Sequence, residues 1–100
     1  MDRIKNASPV DPVMVAPRLA AIRTALDMNK TDFARMIGVD KSSYTKIEKG
    51  EKPLLTATAY KIYELYGVDL NFIYLGQVGG LPSRLSNSII SHLNSTIIAS

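Results

Sequence analysis

Apolar residues in this chain recur at helical spacing in short blocks, each closed by a residue that favours a turn. Val15, Leu19, Ile22 and Leu26 stand at i, i+4, i+7 and i+11, and predict a helix over about 16–27. Pro17 then falls in its first turn, where a missing N–H costs least. Asn29-Lys30-Thr31 breaks the pattern and offers a cap for a second helix, 31–37, with Phe33, Ala34 and Ile37 inward. Gly38 stops it, and Asp40 caps a third helix over 41–49 that ends at Gly50. A fourth helix spans 56–66 and closes at Gly67; a fifth, capped by Asp69, spans 70–75 and closes at Gly76. No segment alternates with period two, so the prediction is an all-α chain.

Both ends differ from this block. Residues 1–14 carry Pro9, Pro12 and the polar run Lys5-Asn6-Ala7-Ser8, and read as a flexible arm. Its Arg3 and Lys5 either reach toward a polyanion or belong to a simple disordered tail. Gly79-Gly80 reads as a hinge. Beyond it, Leu81, Leu85, Ile89, Leu93 and Ile97 recur every four residues, with Ile90 alongside, on a background of Ser, Asn and Thr. Such a helix has low intrinsic propensity and needs packing to persist. Three readings stand: a dimerisation element built on Leu85, Ile89, Leu93 and Ile97, a helix packed onto its own domain, or disorder. The expected organisation is thus an arm (1–14), a five-helix unit (15–76) and a C-terminal tail (77–100).

The second and third helices are joined only by Gly38-Val39-Asp40. They cannot lie side by side over their length and must cross steeply, as in a helix-turn-helix. Successive residues of a helix are 100° apart, which puts Ile47 about 60° from Tyr44 and makes an inward edge. Ser42, Thr45, Lys46 and Lys49 gather on the opposite side, and Lys41 sits in the first turn. This outward face holds hydrogen-bonding and cationic groups and no carboxylate. It matches what base edges and phosphates require, and it also matches an ordinary solvated face.

Two charges sharpen the picture. Glu48 lies about 40° from Tyr44, on the core side, and Arg23 lies about 40° from Leu19 on its own helix. A charge on an inward face is costly unless partnered, so the two are predicted to pair and tie the first helix to the third.

Composition removes several alternatives. The net charge of +3 permits a polyanionic partner without requiring one. There is no cysteine, and one histidine, His92, cannot supply a multi-histidine metal site. No apolar run approaches the roughly 20 residues that span a bilayer, and the first residues are not followed by a signal-peptide core; a cytoplasmic protein is expected. Gly76 to Gly80 lacks the flanking strand, helix and lysine of a phosphate loop. Neither a cofactor nor catalysis is expected.

The stretches Arg18-Leu19-x-x-Ile22-Arg23, Thr31 to Val39, Lys46-Ile47-Glu48-Lys49-Gly50 and Tyr66-Gly67-Val68-Asp69-Leu70 together resemble the Cro/CI-type, or XRE, helix-turn-helix family, over residues 16–76. The resemblance implies a five-helix, lambda-repressor-like fold that binds double-stranded DNA. It assigns base reading to Lys41, Ser42, Thr45 and Lys46. It puts Lys30, Asp40, Lys49 and Lys52 near phosphates, Asp40 only through the backbone N–H groups it orients. It also implies the Arg23–Glu48 pair. Tyr44 is bulkier than the usual aliphatic, and 50–67 is about one residue longer than common in the family. The expected function is a transcriptional regulator, a repressor acting as a homodimer. The alternative is an antitoxin of the same fold whose apolar tail, 81–98, is ordered by a toxin partner.

Overall fold

A computed structural model describes residues 8–99, the side chains of 96–99 excepted. Its elements are α1 (Pro12–Ala25), α2 (Lys30–Met36), α3 (Lys41–Glu48), α4 (Thr56–Tyr66), α5 (Leu70–Leu75) and α6 (Ser83–Ala99). No strand occurs among the described residues. The all-α expectation and the five-helix order hold: α4 and α5 lie where expected, and α2 and α3 end within one residue of expectation.

The exception is α1, which starts at Pro12 rather than at residue 16. Residues expected in a flexible arm are therefore helical from Pro12 and turned just before it. Ser8 N–H donates to the Asp11 carboxylate and Asp11 N–H to the Ser8 carbonyl, both at 3.0 Å. Arg18, a turn and a half into the helix, reaches back to donate to the Pro9 carbonyl at 2.8 Å. Gly50 lies on the first turn so closely that a β-carbon there would stand 3.1 Å from Val13 Cα. These contacts hold the turn although they leave Pro17 inside the helix, where proline costs about 3 kcal/mol in isolation. Arg3 and Lys5 lie outside the described residues.

Helix ends follow local chemistry. Asn29, Asp40 and Asp69 each accept from the backbone N–H three residues on, at 2.8, 2.9 and 2.9 Å. At the end of α1, Asp27 takes φ +58, its N–H bonding Thr24 O and the next N–H bonding Arg23 O. This is the paired C-terminal arrangement that glycine normally serves.

One core joins all six helices. Leu19 and Ile22 of α1, Phe33 of α2, Tyr44 of α3, Ile62 of α4, Phe72 and Ile73 of α5 and Ile89 of α6 are all fully buried. Phe33 sits at its centre, edge-on to Tyr44 (centroids 5.5 Å apart) and stacked on Tyr66 (5.9 Å).

The tail decides between the three readings left open by its sequence. α6 packs along α1, Leu85 and Ile89 enter the common core, and Leu93 lies half-buried against it. Burying an aliphatic side chain gains about 1.5–3 kcal/mol, so these residues outweigh the poor propensity of the Ser- and Asn-rich background. Leu85 and Ile89 are thus buried within one copy, which is the packing reading rather than the dimer contact for which they were singled out. Ile97 falls among the residues whose side chains are not described. Nor does Gly79-Gly80 act as an open hinge at both positions: Gly80 lies where a β-carbon would overlap the Asp69 carboxylate.

Arg18 is a buried cation that its sequence position did not announce. Its Nη1 donates to Pro9 O and, at 3.0 Å, to Ile73 O, and its guanidinium covers Gly76. Burial lowers its pKa. The residue clamps the start of α1 to the end of α5.

Candidate nucleic-acid interface

The tight turn between α2 and α3 is made by three residues with distinct tasks. Gly38, at φ +77, donates to Arg35 O, and Val39 N–H bonds back to Ala34 O, which closes α2. Asp40 then opens α3 by accepting from Ser43 N–H. That contact to the Ser43 N–H, reinforced by the Ser43 side chain and Lys52, holds the Asp40 carboxyl below its usual range. At the far end Gly50, at φ +80, donates to Ile47 O and Glu51 N–H to Lys46 O. Both ends of α3 are therefore fixed by its own turns.

Its rotation about the axis is fixed by three inward side chains. Tyr44 and Ile47 are buried in the core. Glu48, with its side chain only 7% exposed, accepts from Arg23 Nε at 2.9 Å, from Arg23 Nη2 at 3.2 Å and from the Tyr44 hydroxyl. Arg23 completes its fork by donating to Met28 O at 2.9 Å. Burial pushes the Glu48 carboxyl up, but the hydrogen bonds of Arg23 and Tyr44 and the Arg23 charge outweigh it, and the net pKa is lowered. The bond to Glu48 raises Arg23 against its own desolvation. Desolvation, followed by the bond to Glu48, pushes the Tyr44 hydroxyl up, so it stays a donor. The structure thus brings Arg23 and Glu48 together and adds Tyr44, whose place four residues before Glu48 was the available signal.

The opposite face carries Lys41, Ser42, Lys46 and Lys49, all exposed, with Thr45 half-buried between them. The Thr45 hydroxyl donates to Lys41 O at 2.9 Å, which leaves its methyl and its oxygen lone pairs to face outward chemistry. Lys52 is tied back to α3, its Nζ donating to Ser43 Oγ at 3.0 Å. Lys30, at the start of α2, stands 3.8 Å from Glu48 Oε2 and keeps 41% of its side chain exposed. The residues expected at DNA thus gather about one helix: the row expected to read bases lies on α3, with Lys30 beside Glu48, Lys49 at the C-cap and Lys52 folded back against Ser43. Only Asp32 puts a carboxylate on the outer side of α2, where it bonds Arg35 at 3.2 Å.

The family model for helix-turn-helix proteins matches residues 19–73, more than half of the chain, and it spans α2, the turn and α3. The chain belongs to this family, of the Cro/CI or XRE type. It is a DNA-binding transcription regulator, in a family of regulators rather than enzymes. No curated protein and no solved structure matches it. Among the described residues no cluster of His, Cys, Asp or Glu has the make-up of a metal site, and no helix is long and apolar enough to cross a membrane.

Proposed function

We propose that this XRE-type protein represses transcription by occupying an operator as a dimer, with α3 of each copy in the major groove. The observation that carries the reading is the division of α3. Tyr44, Ile47 and Glu48 fix its rotation, and a carboxylate-free row of Lys41, Ser42, Thr45 and Lys46 is turned outward. Lys41 and Lys46 donate to guanine O6 and N7, Ser42 exchanges hydrogen bonds with base edges, and the Thr45 methyl meets a thymine methyl. Lys30, Lys49 and Lys52 neutralise phosphates, and the backbone N–H groups at the start of α3, which Asp40 orders, donate to one more. Lysines on short-reach neighbours discriminate modestly, by about 1–3 kcal/mol per good contact, so two half-sites about 34–36 Å apart are needed for useful selectivity.

An antitoxin of the same fold would need an apolar tail awaiting its partner, and Leu85 and Ile89 are already inside the monomer. The test is binding selection from a random duplex library with wild type, Lys46→Ala and Lys30→Ala. Lys46→Ala should return altered sites. Lys30→Ala should return the wild-type sites with uniformly weaker binding and a salt slope reduced by about 1. Identical sites for wild type and Lys46→Ala would remove Lys46 from the reading row.

A further inference from the structure

Leu85 and Ile89 are taken up by the core of one copy, and a different helix presents the large exposed side chains that could join two copies. α4 turns Ala59 and Ile62 inward and leaves Ala57, Tyr60, Lys61, Tyr63 and Glu64 exposed. Tyr60 and Tyr63 are 52% and 46% exposed, and their rings lie against each other with centroids 6.1 Å apart. Large aromatics presented as a pair to solvent are the residue type that interface centres favour. Lys61 and Glu64 flank the pair, and neither forms an ion pair with another described residue.

We infer that α4 is the dimer contact, and that it packs antiparallel against α4 of a second copy. A two-fold interface must be self-complementary, and this face is. With 100° and 1.5 Å per residue, a two-fold axis placed between residues 62 and 63 sets Lys61 opposite Glu64 of the partner subunit, twice. On the other edge the same register brings Tyr63 beside the partner's Tyr63 and within reach of the partner's Tyr60. A parallel two-fold pair would set the charged edge of each helix against the tyrosine edge of the other and lose both ion pairs. α4 also starts directly after the Lys52-Pro53 loop that flanks α3, so pairing there couples the two reading helices over a short, stiff path.

The area sets the strength. A large aromatic side chain buries about 150–250 Å² when fully covered. Half-exposed Tyr60 and Tyr63 therefore offer roughly 100 Å² each, and with Ala57 and the Lys61 and Glu64 stems the face stays well below the ~800 Å² per partner of a stable complex. The free protein is then monomeric when dilute and dimeric only when concentrated, or when two half-sites hold two copies together. Dimerisation becomes part of operator recognition. The inference rests on α3 being the DNA-contacting helix only for that last step.

The test measures free protein by sedimentation equilibrium over a wide concentration range. It also measures binding to duplexes carrying one or two copies of the library-selected half-site. Wild type should shift from monomer to dimer mass, and two half-sites should bind cooperatively, by about tenfold or more. Tyr60→Ser/Tyr63→Ser should stay monomeric and lose the cooperativity while keeping its single half-site affinity. Lys61→Glu alone should do the same to mass, and Lys61→Glu/Glu64→Lys should restore the dimer. The inference is overturned by wild-type behaviour in the double-serine variant, by failure of the charge swap to restore dimer mass, or by a wild type that stays monomeric both free and on paired sites. Failure to bind a single half-site would instead remove the assignment of α3 and leave the dimer measurement standing.

Discussion

Removing the Glu48 carboxylate is the sharpest test of how α3 is held. Glu48→Met deletes the acceptor of two guanidinium bonds and of the Tyr44 hydroxyl. Tyr44 is fully buried, so its hydroxyl would lose its partner away from water, at a cost of about 1–3 kcal/mol. Arg23 would lose its charge partner, but 18% of its side chain is exposed and Nη1 still bonds Met28 O, so it recovers part of its solvation. That trims the 3–5 kcal/mol typical of a broken buried pair. The sum is about 2–4 kcal/mol, which for a domain of this size lowers Tm by roughly 8–30 °C. The assay is thermal unfolding followed by helical circular dichroism on Glu48→Met, Arg23→Met and the double variant. Since methionine at both positions leaves no unpaired charge, the double variant should be more stable than the sum of the single losses implies, by about 1–3 kcal/mol. DNA affinity should fall with the singles, because the rotation of α3 is what the pair sets. Additive losses within about 0.3 kcal/mol, with unchanged DNA affinity, would refute the reasoning.

The remaining predictions concern pH, backbone and tail. Glu48 has its folded-state pKa held below the unfolded carboxylate value of about 4.3, so its stabilisation is complete above that pH and is lost as pH falls toward the folded value. Acid unfolding curves of Glu48→Gln should accordingly show a shallower limb below about pH 4.3 than wild type, and superimposable limbs would remove the carboxylate from this role. Asp27→Gly relieves a left-handed backbone at the end of α1 and should raise stability by about 0.5–1 kcal/mol, read as a Tm higher by a few degrees; no change would mean the aspartate is unstrained there. Ile89→Ala should cost about 2–5 kcal/mol at every protein concentration, because Ile89 is fully buried within one copy. A cost that appears only at concentrations where the protein dimerises would return α6 to the dimer interface.

What the sequence determined by itself is whatever short-range chemistry governs. Asn29, Asp40 and Asp69 cap the helices that follow them, and Gly38 and Gly50 end the ones before, because these bonds span three or four residues and need nothing else. The three-residue turn then forces the crossing of α2 and α3. The inward and outward faces of α3 follow from its period, so Lys41, Ser42, Thr45 and Lys46 were legible as a row and Arg23 and Glu48 as two charges needing partners. Tertiary structure decided what no local rule contains. The start of α1 moved to Pro12 because Gly50 closes on its first turn and Ile73 of α5 holds the Arg18 guanidinium that ties down Pro9, both from distant parts of the chain. The stripe of α6 has the same pattern whether it meets another copy or its own domain, and only the free place along α1 assigned Leu85 and Ile89 to the core. An apolar face states that it will be covered; its covering partner is chosen by the shape of everything else that folds beside it.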